Sequence, residues 1–193
     1  GFATSQGFAE VVHGVSFDLE RERTLCLVGE SGSGKSVTCH AILGLLAGNG
    51  RRTRGEILFE GQDLAGLPPA RLNRIRGGRI GMVFQDPLGP LNPVRTVGAQ
   101  IGETLRLHTG LAAAARRARA VELMRLVGIP EPEARLKAYP HQLSGGMAQR
   151  VMIALALACE PVLLIADEPT TALDVTIQAQ VLDLLRWLQR EMA

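Results

Sequence analysis

At 193 residues the chain has room for one sizeable domain, since length divided by about 150 residues per domain gives roughly 1.3. Apolar residues make up 46% and charged residues 21% of it, which excludes a disordered chain and a coiled coil. Its 21 basic residues against 19 acidic ones leave a net charge of +2, too mild for a dedicated nucleic-acid surface. Glu160 and Pro161 break the longest apolar candidate, Val151 to Ile165, so no stretch reaches the about 18 residues that a membrane span needs. The first residues do not carry the pattern of a secretory signal. Cys26, Cys39 and Cys159 fit no metal-ligand spacing and read as small core residues.

In chain order, Val11 to Leu19 alternates as a strand does, and Thr24 to Val28 is a short apolar run that ends at a glycine-rich loop. Helical spacing of Val37, Ala41, Ile42 and Leu45 predicts a helix from Gly34 to Leu46, stopped by Gly48, Asn49 and Gly50. A strand at Glu56 to Phe59, a helical piece at Pro69 to Arg76 and a strand at Ile80 to Phe84 follow. Pro87, Pro90 and Pro93 then make a loop. Val97 to Leu107 and Ala112 to Val127 read as helices, as does Ser144 to Ala158. Val162 to Ala166 is continuously apolar, as a strand buried on both faces should be. The last helix, from Ile177 onward, carries a core-seeking stripe that would normally deliver another strand. The chain therefore reads as an α/β domain lacking both of its ends.

Gly29-Glu30-Ser31-Gly32-Ser33-Gly34-Lys35-Ser36 matches the phosphate-binding loop and lies between a predicted strand and a predicted helix. Glycines at 32 and 34 let backbone N–H groups turn inward around a triphosphate, and the helix presents its positive end to it. Lys35 would hold the β and γ phosphates of ATP, and the Ser36 hydroxyl would ligate Mg²⁺. Farther on, an apolar strand ends in Asp167 and Glu168, at the sheet edge where α/β proteins bind ligands. Asp167 would support the metal ion, and Glu168 would orient or deprotonate the attacking water. Leu143-Ser144-Gly145-Gly146-Met147 is a second glycine turn opening onto a helix, and so a second anion site.

Together these motifs resemble the P-loop nucleotide-binding domain of ABC transporters, in which an α/β RecA-like core carries an inserted helical subdomain. The resemblance covers nearly the whole chain. It implies a core at about 1–86 and 160–193, with the helical subdomain at about 87–159. It also implies that two such domains stack head to tail, so that Ser144, Gly145 and Gly146 meet the γ-phosphate held by the opposite domain. By the same resemblance Gln85 is the Q-loop glutamine and a magnesium sensor, Phe2 stacks on adenine, and Asp174 contacts the partner across the dimer. Helices from Val97 to Val127 would dock on the permease.

Phe84-Gln-Asp-Pro87, Tyr139-Pro-His-Gln-Leu-Ser-Gly-Gly-Met147 and Ala166-Asp-Glu-Pro-Thr-Thr-Ala-Leu-Asp174 are similar to the dipeptide, oligopeptide and nickel importers. The implied protein is a peripheral ATPase on the cytoplasmic face of the inner membrane. It would work with a second ATP-binding subunit, two transmembrane permease subunits and, indirectly, a solute-binding protein, and without nucleic acid. Two other readings stay open: ABC ATPases that act on DNA or ribosomes share the loop, signature and acidic strand, and a non-functional fragment would keep them too. The stretch Gln85 to Pro93 and the helical segment favour the importer. The basic runs at Arg51 to Arg54 and Arg116 to Arg119 read as solvated surface. The family's switch histidine follows the catalytic glutamate, whereas His13, His40, His108 and His141 all precede Asp167. The switch is expected beyond this chain, and the chain alone is expected to turn ATP over weakly or not at all.

Overall fold

The computed structural model describes residues 1–171 and 175–191. The chain divides into two compact units, residues 1–72 and 73–193.

In the first unit, β1 (Phe2–Thr4) and β2 (Gly7–Ala9) form an antiparallel hairpin with Phe2 opposite Ala9. A second hairpin joins β3 (Leu58–Phe59) to β4 (Gln62–Asp63). Its two turn residues, Glu60 and Gly61, have φ of 50° and 79°, the positive pair that matches the twist of a two-residue hairpin. Asp63 then accepts hydrogen bonds from the N–H groups of Ile57 and Ala65, both at 3.1 Å. These donors, Ile57 first, hold its carboxyl below the usual carboxylate range. Between the hairpins lies α1 (Lys35–Ile42).

Three expectations for this unit are corrected. Val11 to Leu19 and Thr24 to Val28 form no regular strand, and Val15, Phe17, Leu19, Leu25 and Leu27 are exposed, with Val28 91% exposed. Alternation marks a chain able to pair, but a strand exists only where a neighbour takes its hydrogen bonds and covers a face. Cys26, expected in the core, is exposed with this segment, whereas Cys39 is buried and Cys159 half-buried. Finally, α1 ends at Ile42, ahead of the expected stop. Gly44 turns left-handed at φ 60°. The N–H of Leu45 reaches the carbonyl of His40 at 2.8 Å, and the N–H of Gly44 reaches that of Ala41 at 3.0 Å. That bond pair closes a helix end with glycine just past it, so the stop lies at Gly44 and not at Gly48 to Gly50.

The second unit begins within α2 (Pro69–Ile75). Strands β5 (Ile80–Val83) and β6 (Leu163–Ala166) pair in parallel, Ile80 opposite Leu163 and Val83 opposite Ala166. Parallel neighbours need a crossover, and here it contains α3 (Val97–His108), α4 (Ala113–Leu126), α5 (Pro132–Arg135) and α6 (Gly145–Leu157). α7 (Val175–Glu191) follows β6. Thr96 caps α3 by accepting from the N–H of Ala99 at 3.3 Å, which satisfies a donor that the first turn leaves open.

One core joins these elements: Val97, Ile101 and Leu105 of α3, Leu123 and Met124 of α4, Val151, Ile153 and Leu157 of α6, and Val181 and Leu188 of α7. α6 lies directly on β5. A methyl at Gly81 would run into the carbonyl of Ala156, and the N–H of Phe84 meets the Met152 sulfur at 3.4 Å. Gly81→Ala is therefore expected to cost about 1–3 kcal/mol of stability through overpacking, read as a lower urea midpoint with an unchanged slope.

Candidate functional site

The phosphate loop leads into α1. Gly32 and Gly34 have φ of 82° and 93°, a conformation that costs glycine nothing and side-chain-bearing residues about 1–2 kcal/mol. Space is also tight at Gly34, where a Cβ would lie 3.2 Å from a methyl of Val12 and 3.3 Å from the carbonyl oxygen of Val11. Gly34 is the N-cap and, as a glycine, brings no capping side chain. Lys35 folds back over the loop and donates through Nζ to the carbonyls of Gly29 and Glu30, both at 2.8 Å. The N–H of Ser33 closes the loop onto Glu30 O at 3.2 Å. The N-terminus of α1, a flexible ammonium and an adjacent Ser36 hydroxyl suit a polyphosphate. Glu30, Ser31 and Ser33 are exposed, and Ser36 is half-buried in the first turn of α1.

Phe2 is half-buried, and its ring packs on Gly50, 2.7 Å from where a Cβ would stand there. Beside it the Arg51 guanidinium sits 4.8 Å over the ring of Phe8.

In the second unit the parallel register decides which side chains meet. Val83 pairs with Ala166, so Gln85 and Glu168 each stand two residues past the last pair. They touch: Nε2 of Gln85 donates to Oε2 of Glu168 at 3.1 Å. The N–H of Asp167 continues the ladder to Val83 O at 2.9 Å, and Asp167 is only 5% exposed. Glu168 turns left-handed, φ 44°, a strain of about 1–3 kcal/mol for a residue with a side chain. Thr171 returns to it twice, its N–H reaching Glu168 O at 3.2 Å and its hydroxyl reaching Glu168 Oε2 at 3.0 Å. The motif from Ala166 to Asp174 contains Thr171 but gives it no role. The signal for it is the Glu-Pro-Thr-Thr run, in which proline at the second position initiates a turn of four. Asp167 offers a hard oxygen donor, the chemistry that Mg²⁺ takes, as Ser36 does within the first unit.

The glycine turn behaves as the spacing predicts. Ser144 is the N-cap of α6 and accepts from the N–H of Met147 at 3.4 Å. Ser144 and Gly145 are exposed. At Gly146 a Cβ would stand 3.0 Å from a methyl of Ile177, so a glycine there lets α7 pack close. His141 stacks on Tyr139, with centroids 5.7 Å apart. Asp174 lies outside the described residues.

A groove of about 600 Å³ opens between α3, α4 and α5. Arg95, Arg106, Arg116, Arg117 and Lys137 line it, against Glu103 and Glu133. Glu103 is held by Arg95 and by Arg106, the latter at 3.9 Å. No helix among the described residues is long and apolar enough to cross a membrane.

Comparison with known proteins adds the following. The chain is 55% identical over 98% of its length to the oligopeptide transport ATP-binding protein OppD of Bacillus subtilis (strain 168), covering 53% of that protein. It is 53% identical over 98% of its length to the dipeptide transport ATP-binding protein DppD of the same organism, covering 57% of it. The chain thus spans about half the length of the curated relatives it matches. Among solved structures, the ATP-binding cassette MJ0796, a dimer in a post-hydrolysis state bound to ADP and Pi, superposes with a TM-score of 0.82 at 32% identity. That match covers 94% of this chain and 75% of the cassette, and the shared fold is that of a nucleotide-binding cassette. The family model for ABC transporters matches residues 12–171, and the chain belongs to that family.

Proposed function

We propose that this chain is the nucleotide-binding part of an ATPase subunit that energises an ABC importer of di- or oligopeptides. The observation that carries the proposal is the meeting of Gln85 with Glu168 at 3.1 Å beside a buried Asp167, in a chain that also holds a complete phosphate loop. Identity of 53–55% to oligopeptide and dipeptide transport ATP-binding proteins supports the peptide assignment.

Lys35 exchanges the carbonyls of Gly29 and Glu30 for phosphate oxygens of ATP, while the loop N–H groups hold the rest of the triphosphate. Ser36, Asp167 and Gln85 are the residues that would hold Mg²⁺, which when bound neutralises charge on the β and γ phosphates. Glu168 orients the attacking water and accepts its proton. Ser144, Gly145 and Gly146 face the γ-phosphate held by a second ATP-binding subunit, adding donors where charge develops. Phe2 stacks on the adenine, and Asp174 contacts the second subunit. The core comprises about 1–86 and 160–193, and the helical subdomain about 87–159. Its cationic groove between α3, α4 and α5 is the surface for one of two permease subunits. That docking holds the subunit at the cytoplasmic face of the membrane, where a solute-binding protein delivers peptide from the other side.

The test uses the full-length subunit reconstituted with its native permease in vesicles. Peptide-stimulated phosphate release and uptake of labelled dipeptide are expected together. Co-purification with ribosomes or DNA and no permease overturns the importer assignment. Glu168→Gln is expected to lower kcat about 10²–10⁴-fold with ATP still bound, measured by phosphate release and nucleotide titration. Lys35→Ala is expected to weaken ATP binding itself.

A further inference from the structure

We propose that Thr171 is a positioning residue for Glu168, acting on hydrolysis through that carboxylate and not on nucleotide binding. The proposal rests on the assignment of Glu168 as the group that handles the attacking water. Its basis is the double contact of one residue with another. Residues 168–171 form a turn closed by the bond from the Thr171 N–H to Glu168 O at 3.2 Å, and proline at 169 pre-sets its second position. The same turn swings the Thr171 hydroxyl onto Glu168 Oε2 at 3.0 Å.

Gln85 reaches that oxygen from the end of the neighbouring strand at 3.1 Å. Two donors on that oxygen, one on a turn and one on β5's extension, restrain the rotation of the carboxylate. A charge-assisted hydrogen bond is about twice as strong as a neutral one, so the loss of either donor loosens the base. Glu168 itself is left-handed, φ 44°. The backbone there leaves β6 in a sparsely populated conformation, and the four-residue turn that returns to Glu168 follows it directly. Thr171 is exposed, so its hydroxyl does not fill a core site that substitution would empty.

The test compares Thr171→Val, which keeps the shape without the hydroxyl, with Thr171→Ser, which keeps the hydroxyl, in the full-length subunit. Thr171→Val is expected to lower kcat on the order of tenfold, the worth of one hydrogen bond to a charged group. KM for ATP should stay within about twofold, since a residue that acts through the carboxylate handling water leaves ground-state binding of ATP alone. Thr171→Ser is expected to restore kcat to within about twofold of wild type. ADP affinity, read by titration calorimetry, should be the same in all three proteins. In a Glu168→Gln background, Thr171→Val should change the residual turnover by less than about twofold, because a residue acting through Glu168 has nothing left to act on. Wild-type kcat in Thr171→Val overturns the proposal, as does an unrescued Thr171→Ser. An equal loss in the Glu168→Gln background, or weakened ADP binding, overturns it too. A wild-type subunit that hydrolyses no ATP overturns the functional assignment instead.

Discussion

The parallel pairing of β5 with β6 is the constraint on which the second unit depends. Hydrogen bonding in the register of Val83 opposite Ala166 places two chain segments, separated by some eighty residues in sequence, end to end at one sheet edge. A slip of one residue would turn every side chain on β6 to the opposite face. The buried Ile165 would then exchange places with the exposed Ala166. The apolar core on α6 and β5 therefore enforces the same register that brings Gln85 to Glu168. Packing and chemistry are set by one alignment, and Gly81 is the point where it is tightest, since only a glycine lets the Ala156 carbonyl approach.

From that edge the backbone turns sharply, and the functional groups sit on the turns. Glu168 is left-handed and tied by its own carbonyl and carboxylate to Thr171. On the phosphate loop Gly32 and Gly34 adopt the same region, with Lys35 drawn over two carbonyls of the loop. Of the two, only the bend at Glu168 spends conformational energy, about 1–3 kcal/mol, since glycine takes that region freely; both hold a charged group where local hydrogen bonds, not burial alone, set its direction. The signature turn differs. Ser144 is an ordinary N-cap in extended geometry, so the exposed N-terminus of α6 is available without strain.

Most of the helical segment was legible from residue order. The helix-favouring stretches Val97 to Leu107, Ala112 to Val127 and Ser144 to Ala158 predicted α3, α4 and α6 to within a residue or two at each end. Helices carry their hydrogen bonds within one segment, so local pattern suffices for them. Strands do not. Val11 to Leu19 and Thr24 to Val28 have strand-like patterns and no partner in their unit, whereas Ile80 to Val83 and Leu163 to Ala166 found each other across a long crossover.

The sequence by itself determined the phosphate loop, the signature turn with its serine cap and the acidic end of β6. Each of these depends on a few consecutive residues whose backbone preferences and donors act locally. It also determined where α/β texture gives way to helices, because periodicity changes there. Only the tertiary structure decided that Gln85 and Glu168 touch and that Asp167 is buried. Those facts follow from the pairing of distant strands, and nonlocal hydrogen bonds of that kind leave no period in the chain to be read, whereas the Thr171 contact is a local turn that the Glu-Pro-Thr-Thr run already signals.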